Sequence, residues 1–294
     1  MSEQSIPTPR ADYRPDVEFT PVSNGLDYLD SAVRHLEGRK PPNAYDLKYA
    51  VLHLHAATEV LLKVRLVKEH WSLVFADPGK ATLQAYSNGS FASCTIADAV
   101  KRLEGVASLK ISEDGKQAIH TLQRTRNGLT HFGHVESAHG VEAQAAAVLS
   151  FLLDFINTHL KNEPDVTLTM AELRARLQRI KRLVRDRMNQ LSGVLKPLMH
   201  RTVRCIECSQ WALVVGEKVI TCRFCLYEYG EPAAAAVDYV LNIRYPGDLG
   251  QCKDCEELTL FKGRVASDKK RDRLICFACG VTYVHTGETV VISS

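Results

Sequence analysis

Apolar residues in the first half of the chain recur every three or four positions, which is the spacing of amphipathic helices. The first such segment starts at Ser23 and stops before a Pro-Pro pair, with an apolar face made of Leu26, Leu29, Val33 and Leu36. The second starts at Asn43, a favourable N-cap with Asp46 three residues later, and continues to Trp71 with apolar residues almost all round. We therefore expect the second segment to be the central, buried helix of a bundle.

Further helices are predicted after an irregular stretch. Residues 72–94 contain Gly, Pro and Asn turn signals and are interpreted as irregular chain. Thr95 with Asp98 predicts the start of a short helix, Ser112 predicts the cap of the next one, and residues 141–160 predict a last core helix. The pattern indicates an all-α bundle over residues 23–163. The polar, proline-rich residues 1–22 are interpreted as a flexible arm.

A basic amphipathic linker helix is predicted over residues 164–203. Between residues 168 and 198 the apolar residues step by three and four, as in a coiled-coil seam, and Arg187 interrupts that seam. The net charge of the chain is only +3, yet this region is strongly basic. Its exposed side carries Arg174, Arg176, Arg179, Lys181, Arg182 and Arg185. Such a face is either solvated and packed on the bundle, or it contacts a polyanion.

Eight of the nine cysteines fall in four C-x-x-C pairs in the last third of the chain. The pairs are Cys205/Cys208, Cys222/Cys225, Cys252/Cys255 and Cys276/Cys279. The N-terminus lacks the apolar centre of a signal peptide, so we expect a cytoplasmic location, where thiol pairs bind metal rather than form disulfides. The ninth cysteine, Cys94, is expected to be a small buried apolar residue.

The spacing of the cysteine pairs predicts two four-cysteine zinc ribbons. Four soft thiolates suit a tetrahedral zinc ion, which gives two structural Zn²⁺ per chain, one ribbon over residues 204–231 and a second, after a linker segment, within 232–294. A crossed arrangement, with the first pair joining the third and the second joining the fourth, stays open. Because cysteine supplies every ligand, no position is left for catalysis, and we expect no catalytic metal.

These expectations define a multidomain fold: an all-α bundle, a linker helix and two small zinc-ribbon β modules. The most apolar run, residues 143–156, is short and interrupted by polar residues, so we expect no membrane partner.

A candidate chemical motif ends the helix that Ser112 caps. It reads Arg126-Asn127-Gly128-Leu129-Thr130-His131. On an ideal α-helix, Arg126 and His131 are roughly 140° apart and about 7.5 Å apart along the axis. One helix therefore makes a loose pair, whereas two facing copies in a symmetric dimer would make a compact basic cleft. Gly128, a poor helix former, fits a helix that closely approaches its own copy.

A helical bundle whose later helix carries R-N-x-x-x-H resembles the HEPN superfamily, here over about residues 23–163. The resemblance extends to an acidic residue, Glu59, on the long preceding helix. Many members of that superfamily are metal-independent endoribonucleases that act as dimers, often as toxins or as effectors of defence against phage. The resemblance implies RNA as the substrate, a homodimer formed through the bundle, and an antitoxin or defence-system partner.

The resemblance also implies a role for each motif residue. His131 would be a general base or acid, since its unperturbed pKa of about 6.5 suits neutral pH. Arg126 would hold the phosphate and offset its developing negative charge, oriented by Glu59. Asn127 would orient a phosphate oxygen or His131. RNA supplies its own nucleophile, the 2′-hydroxyl, so the product would be a 2′,3′-cyclic phosphate and DNA would not be cleaved.

Several interpretations remain beside this one. RNA binding is expected from Arg124 together with Arg174, Arg179, Lys181, Arg182 and Arg185. His53 and His55 are interpreted as core or interface residues, and His134 as a candidate assistant of His131. The alternative functions are a non-catalytic dimeric protein whose ribbons bind nucleic acid or protein, and a DNA-binding regulator.

Overall fold

The computed structural model of the chain describes residues 17–38, 40–132, 135–243, 249–286 and 289–292. The helices of its first part are α1 (Pro21–Leu36), α2 (Ala44–Val67), α3 (Leu83–Ser87), α4 (Ile96–Gly105), α5 (Glu113–Asn127) and α6 (Ala138–His159). Helix α2 contacts α1, α4, α5 and α6, and it is buried along most of its length. The prediction of a central helix in a bundle is confirmed.

Capping residues fix where these helices begin. Asn43 and Thr95 form the predicted capping boxes of α2 and α4, and Ser112 caps α5. Helix α1 begins at Pro21, before its predicted start, because the Thr20 side chain accepts the N–H of Ser23. The predicted flexible arm therefore ends before residue 21. Residues 1–16, most of that arm, lie outside the described residues.

The stretch between α2 and α4 contains short turns and one short helix. Helix α2 ends at Val67, earlier than predicted, and 3-10 turns follow at Trp71–Val74 and Pro78–Lys80. Phe75 and Phe91 stack with ring centroids 4.1 Å apart. From α4, the guanidinium of Arg102 donates to the carbonyls of Leu73 and Phe75. These hydrogen bonds satisfy backbone carbonyls of the irregular stretch and hold that stretch against the bundle.

The prediction of one continuous linker helix is wrong. Two helices occupy this region, α7 (Pro164–Leu177) and α8 (Lys181–Leu195), and a 3-10 turn follows at Lys196–Arg201. Helix α7 packs on α1, whereas α8 packs on α6. At the break the side chain of Ile180 is buried, so the chain changes direction around an apolar contact. No Gly or Pro marks this break, which is why the periodicity alone did not reveal it.

Two antiparallel four-stranded sheets form the last third of the chain. The first consists of β1 (Thr202–Arg204), β2 (Trp211–Val214), β3 (Ile220–Cys222) and β4 (Glu228–Gly230), in that order. Helix α9 (Pro232–Asn242) follows. The second sheet consists of β5 (Leu260–Val265), β6 (Asp268–Cys276), β7 (Thr282–Thr286) and β8 (Thr289–Ile292), also in order.

The two sheets pack against each other. The N–H of Gly216 donates to the carbonyl of Phe277 at 2.9 Å. A β-carbon at Gly216, whose φ is +78°, would lie 2.6 Å from the Cα of Gly280, so only glycine permits this approach. Tyr239 of α9 contacts Phe261 and Phe277 of the second sheet, and its hydroxyl donates to the carbonyl of Arg204 in the first. Buried apolar contacts continue from the first sheet into the bundle.

Helix α6 is the one helix, among the described residues, that is long and apolar enough to cross a membrane by length and composition. It lies against α2, α5 and α8, and more than half of its apolar window is buried. A core helix of a bundle has the same properties.

Candidate functional site

Eight cysteine thiols form two groups of four, each close enough to hold a metal ion. The first group is Cys205, Cys208, Cys222 and Cys225, and the second is Cys252, Cys255, Cys276 and Cys279. In each group the four Sγ atoms lie within 4.8 Å of one another. Each group joins two consecutive pairs, so the crossed arrangement is excluded.

The sulfur spacing matches a tetrahedral thiolate site. The Sγ atoms of Cys205 and Cys225 are 3.8 Å apart, those of Cys208 and Cys222 are 3.7 Å apart, and those of Cys252 and Cys279 are 3.7 Å apart. Thiolates about 2.3 Å from a central zinc would be about 3.8 Å from each other in a tetrahedron. A disulfide would need about 2.05 Å. These residues therefore fit a four-coordinate metal ion and do not form disulfides.

All four C-x-x-C pairs adopt the same loop. In each, the N–H of the first cysteine donates to the carbonyl five residues later, and its carbonyl accepts from the N–H four residues later. The residue after the second cysteine is left-handed, with φ between 60° and 76°; these residues are Ser209, Leu226, Glu256 and Gly280. Three of them are not glycine, and a positive φ is strained for such residues. That strain persists only where surrounding contacts hold the backbone in place. A loop closed around an ion provides that constraint.

A tyrosine hydroxyl lies beside the first cysteine of each group. Tyr229 is 3.4 Å from the Sγ of Cys205, and Tyr283 is 3.4 Å from the Sγ of Cys252. Hydrogen bonds from Cys208, and then from the other two thiols, hold the pKa of Cys205 far below its ordinary value. Burial raises the pKa of Cys252, but the hydrogen bonds from Tyr283 and from backbone amides bring it to about 7. Cys205 and Cys252 are thus the thiols that most readily become thiolates, the form that binds metal, whereas the pKa values of Cys208, Cys222, Cys255 and Cys279 are raised.

The two groups differ in their access to solvent. Every cysteine of the first group is buried, and that group sits against the bundle. In the second group Cys279 is exposed and Cys255 is half-buried. The second site is therefore the more accessible to a chelator.

The candidate catalytic motif lies where α5 ends. Asn127 is the last residue of α5, and Gly128–Phe132 form a π turn. A π turn closes i→i+5 hydrogen bonds, a longer period than that of an α-helix, and such turns are frequent at functional sites. Within such a turn, residues five apart come nearer to the same side than in an ideal α-helix; His131 lies in this turn, and Arg126 lies in the last turn of α5. Asn127 and His131 are exposed, and Arg126 is half-buried.

Hydrogen bonds hold the motif in place. The Nη1 of Arg126 donates to the Oδ1 of Asn127 at 3.1 Å, and Thr130 donates to the carbonyl of Arg126 at 2.8 Å. One residue before Arg126, the buried Thr125 donates through its hydroxyl to Gln144 of α6 at 2.7 Å. Gln144 in turn donates to Glu136, which precedes α6. The end of α5 is therefore anchored to α6 on its buried side.

Helix α2 contributes His55 to the surroundings of Arg126. His55 is buried, and burial, followed by the positive charge of Arg126, lowers its pKa. Sequence reasoning interpreted His55 as a core or interface residue and gave it no role beside Arg126. Its spacing of four residues from Glu59, which puts both on one face of α2, was the available signal. Its imidazole is neutral at neutral pH.

Three of the remaining candidate residues, Glu59, His53 and Arg124, lie on α2 and α5. The carboxylate of Glu59 pairs with Lys63 on its own helix at 2.5 Å, and its action on Arg126 stays a prediction. Arg124 is exposed on α5. His53 lies against α1, where its Nδ1 is 2.9 Å from the hydroxyl of Ser31. His134 lies outside the described residues.

Most linker cations are engaged within the chain. Arg174 lies over the ring of Tyr227, 5.1 Å from its centroid, and donates to the carbonyl of Cys225. Arg179 pairs with Glu37 at 3.5 Å, and Arg182 and Arg185 both pair with Asp186. Lys181 is exposed and lines, with Arg179 and Arg182, a small cleft of about 100 Å³ at the break between α7 and α8. These pairs reduce the charge available to a polyanion, and RNA binding along this face stays a prediction.

The interruption that Arg187 makes in the apolar seam has a structural explanation. Its guanidinium, only 4% exposed, makes a bidentate ion pair with Asp154 of α6, with N–O distances of 3.0 and 2.7 Å. Its Nε donates to the carbonyl of Phe224 at 2.7 Å, between two cysteines of the first group. Arg187 thus joins the bundle, α8 and the first metal site.

Comparison of the chain with protein-family models, with curated proteins and with solved structures finds no match. The resemblance to the HEPN superfamily therefore rests on the six-residue motif and its helical setting.

Proposed function

We propose that the protein is a metal-independent endoribonuclease of the HEPN type. The observation that carries the proposal is the position of Arg126 and His131 five residues apart across a π turn, at the exposed end of a bundle helix. The motif therefore combines a cation, an amide and an imidazole at the protein surface, where a phosphodiester has access.

The chemistry follows from these three side chains. His131 takes the proton of the 2′-hydroxyl or gives a proton to the leaving 5′-oxygen. The guanidinium of Arg126 donates to the phosphate oxygens as negative charge develops in the phosphorane. Asn127 keeps that guanidinium in position through its hydrogen bond to Nη1. His55, buried beside Arg126 with a lowered pKa, is a neutral imidazole and adds no positive charge beside the guanidinium.

Within this proposal the cysteine groups bind zinc and stabilise the fold. The spacing of the sulfur atoms and the four-thiolate donor set both support zinc. With four cysteines in each group, the metal has no open position for substrate. Two copies of the chain, meeting through the ends of α5, would place two Arg126–His131 pairs on one RNA strand.

The test is cleavage of total RNA by purified protein, with and without EDTA. We expect fragments that end in 2′,3′-cyclic phosphate, undiminished by EDTA, and no cleavage of DNA. His131→Ala should lower the cleavage rate at least 100-fold, about the contribution of one general acid or base. His120→Ala, an exposed histidine on the same helix, is the matched control and should remain active. Full activity of His131→Ala would refute the proposal.

A further inference from the structure

The second sheet carries unpaired positive charge that the overall composition conceals. Residues 260–276 contain six Lys and Arg and only two Asp. Both aspartates pair with arginines, Arg264 with Asp272 at 3.3 Å and Arg273 with Asp268 at 3.1 Å. Within the described part of the chain, no ion pair forms at the exposed cations Lys262, Lys269, Lys270 and Arg271. The β5–β6 hairpin is therefore free to attract a polyanion.

A cleft of about 450 Å³ lies beside this hairpin, between the end of α8 and both sheets. Trp211 of β2 forms one wall, and Met188, Leu195 and Met199 contribute apolar surface. The Nζ of Lys269 lies over the Trp211 ring, 5.4 Å from its centroid, and Lys196, on the turn after α8, also lines the cleft. An aromatic face and two cations thus share one opening.

This combination is the chemistry by which proteins hold single-stranded nucleic acid. Every base has a flat face that stacks on an aromatic ring, while lysines contact the phosphates that flank it. A duplex hides those faces between neighbouring base pairs, so a single strand is the form that fits. Lys269, Lys270 and Arg271 are consecutive on β6 and all exposed, so the positive charge continues beyond a single nucleotide.

We propose that this cleft binds a single-stranded polynucleotide, with one base stacked on Trp211 and its flanking phosphates on Lys196 and Lys269. The site is separate from Arg126 and His131, and its existence does not depend on nuclease activity. The linker arginines, which pair largely within the chain, are not needed for it.

The first experiment uses tryptophan fluorescence. The chain has two tryptophans, so Trp71→Phe leaves Trp211 as the single reporter. Titration with a short oligouridine and with a short oligothymidine should give saturable quenching, and a blunt duplex should compete weakly. RNA and DNA strands share the stacking and phosphate chemistry, and the two titrations distinguish them. Unchanged fluorescence with both strands would overturn the proposal.

The second experiment measures affinity for labelled oligonucleotide by fluorescence anisotropy. Trp211→Leu should weaken binding about tenfold or more, the contribution of one stacked base. Lys196→Gln with Lys269→Gln should reduce the slope of log affinity against log salt by about 1.4, or about 0.7 for each lost phosphate contact. Lys101→Gln with Lys110→Gln, two exposed lysines of the bundle, makes the same change of charge and should leave the slope unaltered.

A third variant blocks the cleft without removing a contact. Gly193 lines the cleft on α8, and a β-carbon there meets no atom within 4 Å, so Gly193→Leu is compatible with the fold and fills open space. It should weaken binding while the metal content stays normal. Equal affinity and salt slope in the paired lysine variant and its control would exclude the site. His131→Ala should bind normally, which separates this proposal from that of the nuclease.

Discussion

Replacing Arg187 with methionine tests how the bundle is joined to the first metal site. The guanidinium donates to Phe224, in the Cys222–Cys225 loop of the first metal group, and to Ser150 and Asp154 of α6. Methionine fills the space of the aliphatic stem, so little packing is lost. The substitution therefore isolates the hydrogen bonds and the charge.

The expected cost is about 1.5–4 kcal/mol. The carbonyl of Phe224, which accepts at 2.7 Å in buried surroundings, is left without its donor, at a cost of about 1–3 kcal/mol. The ion pair adds less, about 0.5–1 kcal/mol, because the Asp154 side chain is 57% exposed and its charge is screened by water. The hydroxyl of Ser150 can bond to a carbonyl of its own helix, so it contributes least.

The assay is urea unfolding, followed by circular dichroism for the helices and by a chromogenic chelator for metal release. Arg187→Met should lower the free energy of unfolding and release the metal of the first group earlier. Arg185→Met, a neighbouring exposed arginine that also pairs with an aspartate, is the matched control and should cost under about 1 kcal/mol. If Arg187→Met stays within about 0.5 kcal/mol of the parent protein, the link we describe does not stabilise the fold.

Three further predictions concern the metal sites, pH and the motif. Metal analysis should find two zinc ions per chain. A chelator should remove the ion of the second group, where Cys279 is exposed, before the ion of the buried first group. Simultaneous release would contradict the proposed difference in solvent access between the two sites. The lowered pKa of His55 means that folding favours its neutral form, so its contribution is complete above pH 6.5 and lost as pH falls below that value. His55→Gln should reduce the loss of stability between about pH 7.5 and 5.5, and an unchanged pH profile would refute this. Arg126→Lys should retain little RNA cleavage, since an ammonium cannot reproduce the planar guanidinium, and parent-like cleavage would argue against its role.

Local signals in the sequence were sufficient for most of the bundle. The capping residues Asn43, Thr95 and Ser112 begin the helices that they were expected to begin, because an N-cap bond depends only on the three residues that follow. The four C-x-x-C pairs were likewise readable, since a thiol pair closes a loop of fixed geometry around one ion. The spacing favoured grouping each pair with its neighbour in the chain, and the structure has that consecutive grouping.

Contacts between distant segments decided the remaining features. The break between α7 and α8 has no sequence signal, because it results from tertiary packing: α7 packs on α1 and α8 packs on α6. Whether the linker arginines face solvent or carboxylates depends on the positions of Asp30 in α1 and of Glu37 just after it.

The sequence by itself determined that helices begin after Asn43, Thr95 and Ser112, and that eight cysteines are available for two ions. These properties arise within a few residues of chain, where hydrogen bonding and apolar spacing are local. Tertiary structure alone decided that Arg187 links α6 to the loop at Phe224, and that Lys269 lies over the Trp211 ring beside a cleft. Those residues are far apart in the chain, and their juxtaposition depends on how the helices and sheets pack.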